Sequence, residues 1–323
     1  MTPDAVVTFL GNMDLFWLIA AAGGGFFGAA IGANVAFGFT GVLILVAFAI
    51  TMATGSDVGF SYLAFGPLFG PHIAFAGGVA AAAYAAKKGR LQETGKGRDM
   101  NTALAGLGEP DVLLVGALFG VTGYIINGLV ALIPWFGANT DTVAFTVVIQ
   151  GIIARIAFGK TAPFAWVSEL GGDRHWIPWQ EKASQWVTIG ALGGLLGAGV
   201  STMFYSYASA GASAETAAIL FGNAKTLPFA ISAITIFLIS WGVTIPVTHH
   251  ITIIGGLAGV TFLPAVGGVG ALLLGAVFGV MSAAIGELGN RLCYSGGDTH
   301  IDPPAFAIWP STTIVLVIGS MIA

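Results

Sequence analysis

The chain has 323 residues, 56% of them hydrophobic and 8% charged, with 49 glycines and a formal net charge of −4. A soluble domain carries roughly a quarter charged residues, so this chain cannot clothe a water-facing surface. It reads as an all-α polytopic membrane protein. The small charge argues against a nucleic-acid partner, and the lone Cys293 excludes an intrachain disulfide.

Taken in chain order, apolar runs near the roughly 20 residues that cross a bilayer as helix predict ten spans. They are 14–33, 36–54, 61–86, 111–135, 142–159, 186–209, 226–243, 245–264, 267–290 and 304–323. The stretch ahead of them, "MTPDAVVTFLGNMDLFW", has no Lys or Arg and lacks the basic region of a signal peptide. No basic residue precedes Lys87. Then "KKGRLQETGKGR" supplies Lys87, Lys88, Arg90, Lys96 and Arg98, while Arg155, Lys160, Arg174 and Lys182 surround the linker 160–185 and Arg291 follows the ninth span. The positive-inside rule puts these in the cytoplasm and leaves Lys225 outside. The expected location is the inner (plasma) membrane, with both termini external.

Short signatures recur in the same order. "GGFFGA" (24–29) pairs with "GGLLGA" (193–198), and "HIAFAGGVA" (72–80) with "HITIIGGLA" (250–258). "GALFGV" (116–121) pairs with "GAVFGV" (275–280), and "DTVAF" (141–145) with "DPPAF" (302–306). Five spans per copy is an odd number, so the second copy enters the membrane reversed. The expectation is a five-plus-five inverted repeat with broken helices: 1–159, a cytoplasmic linker 160–185, and 186–323. Transporters built this way bind solute between the repeats.

Ionisable residues inside the runs are the candidates for a pathway. His72 and His250 are equivalent in the repeat, and His249 adjoins the latter. Each follows an expected helix break, at Pro67 and Pro71 or at Pro246. Irregular backbone at membrane depth persists only within protein or beside a water-filled cavity. Thr226, Thr244, Thr248 and Thr252 add hydroxyls nearby. Late in the chain, Asp298, His300 and Asp302 alternate ahead of Pro303 and Pro304. An extended segment would bring all three to one side, as a cation site or proton relay. The competing reading is a helix cap, because Pro303 suits a first helical turn and Asp302 would precede it. Asp141 is its counterpart ahead of 142–159. Glu287 and Arg291 have the spacing of a helical ion pair, and Arg155 could reach the cytoplasmic face by snorkelling. "SELGGDRHWIPWQEK" (168–182) reads as an amphipathic anchor at the lipid headgroups.

"FGFTGVLILVAF" (37–48) and "TLPFAI" (226–231) resemble segments of urea transporters, with Thr40 where that family carries Asn and no Pro-Phe counterpart in the first half. The resemblance implies only the generic five-plus-five architecture of a solute channel. The functional expectation is a transporter or channel for a small polar solute or ion, with no cofactor and no enzymatic role. The scarcity of charge inside the spans favours a neutral or anionic ligand over a multivalent cation. No phosphate-binding GxxxxGK[ST] loop is present, which argues against an ATP-driven pump. An intramembrane metal enzyme is a weaker alternative, since HExxH is absent, and a scaffold subunit is another. The sequence leaves a homo-oligomer open.

Overall fold

The computed structural model describes residues 3–91, 97–171 and 175–322, so Lys96 and Arg174 of the expected cytoplasmic segments lie outside the described residues. The described chain is all-helical. Its elements are α1 (Pro3–Gly11), α2 (Leu15–Ile31), α3 (Ala33–Thr54), a π-turn (Gly59–Ala64), α4 (Ala74–Lys87), a short 3-10 turn (Leu104–Leu107), α5 (Pro110–Ala131) and α6 (Thr142–Phe158). There follow α7 (Ala183–Ser209), α8 (Ala214–Asn223), α9 (Thr226–Ile234), α10 (Ile236–Ser240), α11 (His249–Gly289), a second π-turn (Asn290–Tyr294) and α12 (Pro303–Ile322).

Local chemistry sets many of the boundaries. Asp14 caps α2 by accepting from the Phe16 N–H, and Ser213 caps α8 through the Thr216 N–H. Pro110 opens α5, where a missing N–H costs nothing. Gly55 closes α3 in the left-handed conformation, φ 72°.

Five helical runs are long and apolar enough to cross a membrane: Ala33–Thr54, Pro110–Ala131, Ala183–Ser209, His249–Tyr294 and Pro303–Ile322. The segments α8 and α9–α10 form a further apolar pair, bent by 47°. Outward-facing Leu114 and Leu118 on α5, Leu192 and Leu196 on α7, and Leu273 and Val277 on α11 are exposed one helical turn apart. Such stripes suit lipid rather than water.

Several expected spans take another form. The 61–86 run becomes a π-turn, an irregular stretch and the 14-residue α4, while α2 and α6 have only 17 residues each. The 226–243 run divides into α9 and α10, and residues 241–248 are not helical. Composition reports membrane residence but not helix continuity, which Pro67, Pro71 and Pro246 interrupt.

The 41-residue α11 would measure about 60 Å if straight, twice the hydrocarbon thickness. It turns at Gly267, whose φ of 68° and ψ of 177° lie outside the helical range. Open space surrounds that position, so backbone conformation and not crowding calls for glycine.

Both arms of α11 pack on α7. A Cβ on Gly194 would strike the Gly275 carbonyl oxygen and lie 2.8 Å from the Gly279 Cα, and one on Gly255 would strike Gly194. A seam of the same kind joins α2, α4 and α5. There a Cβ on Gly25 would strike the Gly116 carbonyl, and one on Gly77 would lie 2.7 Å from the Gly25 Cα. Small residues give these helices their close approach, as is usual in membranes.

Candidate functional site

The two helix breaks expose main-chain groups that lipid could not satisfy, and side chains from distant elements take them up. Ahead of α4, Gln150 Nε2 donates to the His72 carbonyl at 2.7 Å, and the Thr40 hydroxyl donates to the Phe69 carbonyl at 2.6 Å. Ahead of α11, the Gln180 amide makes a reciprocal pair with Val247, donating to its carbonyl at 2.9 Å and accepting from its N–H at 2.8 Å. The Ser282 hydroxyl donates to the His250 carbonyl at 2.8 Å. His72 and His250 thus each present a carbonyl to a side-chain donor.

Asp302 caps α12: its Oδ2 accepts from the Ala305 N–H at 2.7 Å, and its Oδ1 meets His300 Nε2 at 3.0 Å. Asp141 caps α6 in the same way, accepting from the Ala144 N–H at 2.9 Å. Replacing Asp302 by Ala is therefore expected to cost about 0.5–2 kcal/mol, read as a lower thermal midpoint in detergent. An unchanged midpoint would mean the cap contributes nothing.

Asp298 turns away from this pair to the end of α6. It accepts from the Lys160 N–H at 2.6 Å and the Thr161 hydroxyl at 2.7 Å. Burial opposes ionisation there, but those hydrogen bonds prevail and hold the carboxyl below its ordinary value. The three alternating residues therefore share no centre, and among the described residues no group of three His, Cys, Asp or Glu is placed to hold a metal.

Arg155 does not snorkel. It is 1% exposed. Its guanidinium donates to the Thr299 hydroxyl and carbonyl and to the carbonyls of Cys293 and Pro163, tying the 293–299 strap to α6. Glu287 and Arg291 pair at 2.7 Å, as their spacing predicts. Part of the 168–182 linker is folded in rather than laid on the surface. Besides Gln180, its Trp179 indole donates to the Ile245 carbonyl at 2.7 Å, and Ile177 is buried.

These elements enclose a cavity of about 430 Å³. Its walls include Phe37 of α3, Phe75 of α4, Phe229 of α9 and His249 of α11, together with Asp141, His300 and Asp302. Phe37 packs edge-on against Phe75 and against Phe229, each at 5.7 Å between ring centres, and His249 lies 4.7 Å from Phe37.

The lining runs from Arg98, Asp99 and Asn101 to Thr140 and Asp141. Gly97 bridges to Thr299, which Arg155 holds near the far end of α6, whereas Thr140 and Asp141 precede its first residue. Of α6 itself, Thr142, Val143, Ala144 and Val147 line the cavity, which places it beside the first turns of that helix.

Of the predicted site residues, His249, His300, Asp302 and Asp141 line this cavity, but His72, His250, Thr248, Thr252 and Asp298 do not. His72 and His250 do not meet. The His250 ring faces Gly286 and Trp176, and the His72 ring folds back on Gly70. Thr248 and Thr252 instead bond the Ser232 hydroxyl at 3.2 and 3.1 Å. The sequence carries no signal that singles out Phe37, Phe75 and Phe229 among its 23 phenylalanines.

A family model matches residues 7–162 and 172–322, almost the whole chain. The chain belongs to DUF7973, a family of unknown function. The DUF7973 match divides at 163–171, within the linker between the two seams of packed glycines. No curated protein and no solved structure matches this DUF7973 chain, so the urea-transporter resemblance rests on its two short segments.

Proposed function

We propose that the chain is a membrane transporter or channel in which a small polar solute or ion passes between two oppositely oriented halves, 1–159 and 186–323. The observation that carries this reading is the cavity of about 430 Å³ beside the first turns of α6, with Asp141, Asp302, His249 and His300 in its wall. Apolar scaffolds have no reason to keep such groups, since ionisable side chains at membrane depth are costly unless they serve a pathway.

The inverted arrangement draws support from the walls, which come in matched pairs. Phe75 and Ile253 each follow their His-Ile histidine by three residues. Asp141 and Asp302 each cap a helix, and Val147 and Ile308 each follow that aspartate by six. Phe37 and Phe229 touch one another, at 5.7 Å between ring centres.

The orientation draws support from the basic residues. Lys87 donates to the Ala157 carbonyl, Arg291 to the Ser168 carbonyl, and Arg98 to the Tyr294 carbonyl, which gathers them at one end of α6. A thiol reagent applied to intact cells should label cysteines introduced at Asn139 and Gly211 and spare one at Lys160. The opposite labelling pattern would invert the proposed topology.

Purified protein in liposomes should speed osmotic re-swelling by small polar solutes relative to protein-free vesicles. A cysteine placed at Phe229 and modified with a bulky maleimide should stop it; the native Cys293 is buried. Failure of every solute in a panel of cations, anions and neutral molecules would count against passage altogether.

A further inference from the structure

We infer that the cavity binds a small monovalent organic cation bearing N–H donors, paired with the Asp302 carboxylate and held among Phe37, Phe75 and Phe229. The cation's passage rests on the transport reading above; its binding does not.

Charge is the first consideration. Both donors to Asp302, the Ala305 N–H and His300 Nε2, leave its negative charge in place. An ionised carboxylate only accepts, so His300 presents an Nε2–H to it. Among the described residues the ionisable side chain within ion-pairing distance of Asp302 is His300, at 3.0 Å, and no Lys or Arg joins it. A charge held away from water calls for a partner, and Asp141 adds a second negative group to the same walls. The same walls also carry Asp99, Arg98 and Lys225, so carboxylates outnumber bases three to two, and Arg98 is engaged by the Tyr294 carbonyl and ring; beside Asp302 a cation is favoured over an anion.

The walls then decide which cation. A hard metal ion wants six or more oxygens around it. Asp302 faces a chamber walled by Phe37, Phe75, Phe229 and Ile253, which is mostly carbon. Aromatic rings attract ammonium-type and guanidinium-type cations, and a cation with N–H bonds can use the free lone pairs of the carboxylate. His249 provides an independent sign of a ligand. It is 6% exposed, lines the cavity, and its buried Nδ1 has no hydrogen-bond partner.

Guanidinium, urea and nitrate share a planar trigonal shape and carry charges of +1, 0 and −1, so they isolate the effect of charge. In detergent at fixed sodium chloride, low-millimolar guanidinium should raise the thermal midpoint saturably, with urea and nitrate at least tenfold weaker. Asp302→Asn keeps a competent helix cap and should weaken guanidinium binding at least tenfold. Phe229→Leu keeps the carboxylate and should weaken it about threefold to thirtyfold, the range of a desolvated cation–ring contact; it serves if the Asn variant does not fold. Tighter binding of urea or nitrate, or guanidinium binding unchanged in the folded variants, would overturn the inference. In liposomes the two readings part. Guanidinium that binds but does not cross overturns passage and leaves this inference standing, whereas urea that crosses without any guanidinium effect does the reverse.

Discussion

Arg155→Met is expected to destabilise the protein by about 3 kcal/mol or more and to weaken any ligand binding at Asp302. The guanidinium is buried and donates to three main-chain carbonyls and one hydroxyl. Methionine fills the space and donates nothing. Each buried carbonyl left without a partner costs about 1–3 kcal/mol, and water entering the gap would recover part of that. The functional effect follows from position. Thr299 adjoins His300 and stands three residues before Asp302, so a strap released at Thr299 no longer fixes the carboxylate in the cavity wall. Arg155→Lys should rescue poorly, because one ammonium cannot span acceptors that a planar fork reaches together. Thermal unfolding in detergent and proteolysis across 295–299 would report the change. A methionine variant with an unaltered midpoint and a protected strap would show that Arg155 is not what holds it.

What the sequence reveals about this site depends on the range of each interaction. Asp302 was readable because its cap is local: Asp before Pro-Pro leaves few conformations, and the partner N–H lies three residues on. The Glu287–Arg291 pair was readable for the same reason. Gln180 was not, since its partner Val247 lies 67 residues away and nothing near Gln180 announces a break there. Arg155 looked like a helix-end cation, and only the fold brings Cys293 and Thr299 to it. The histidine pair shows the limit most clearly. The signatures pair His72 with His250, but what the two positions have in common is a carbonyl at a helix start, and the rings face different neighbours. The residue that does face the cavity, His249, aligns with Pro71 in the other half. Span counting failed differently: hydropathy averages over breaks, so it merged the π-turn, the irregular segment and α4 into one helix.

Gly194→Ala should destabilise the protein strongly. Its new Cβ would occupy the place of the Gly275 carbonyl oxygen and approach the Gly279 Cα to 2.8 Å. Both are main-chain atoms, so no side chain can rotate away, and relief requires moving one arm of α11 off α7. Gly255 leans on Gly194 from the other arm, so a shift on one side disturbs both contacts. Overpacking a core ordinarily costs about 1–3 kcal/mol; rigid backbone on every side places this substitution at or above the upper end. Gly199 supplies the control within the same helix. Its Cβ would lie 3.4 Å from a Leu272 methyl, an ordinary contact, and alanine there gains helix propensity of about 1 kcal/mol. Gly199→Ala should therefore melt at or above the parent temperature, while Gly194→Ala yields little monodisperse protein and melts well below it. Gly25→Ala should behave like Gly194→Ala, since the Gly116 carbonyl occupies the corresponding place in the first half. If the alanines at 25 and 194 are tolerated as readily as the one at 199, the helices do not meet at these seams, and the cavity walls they position would have to be redrawn.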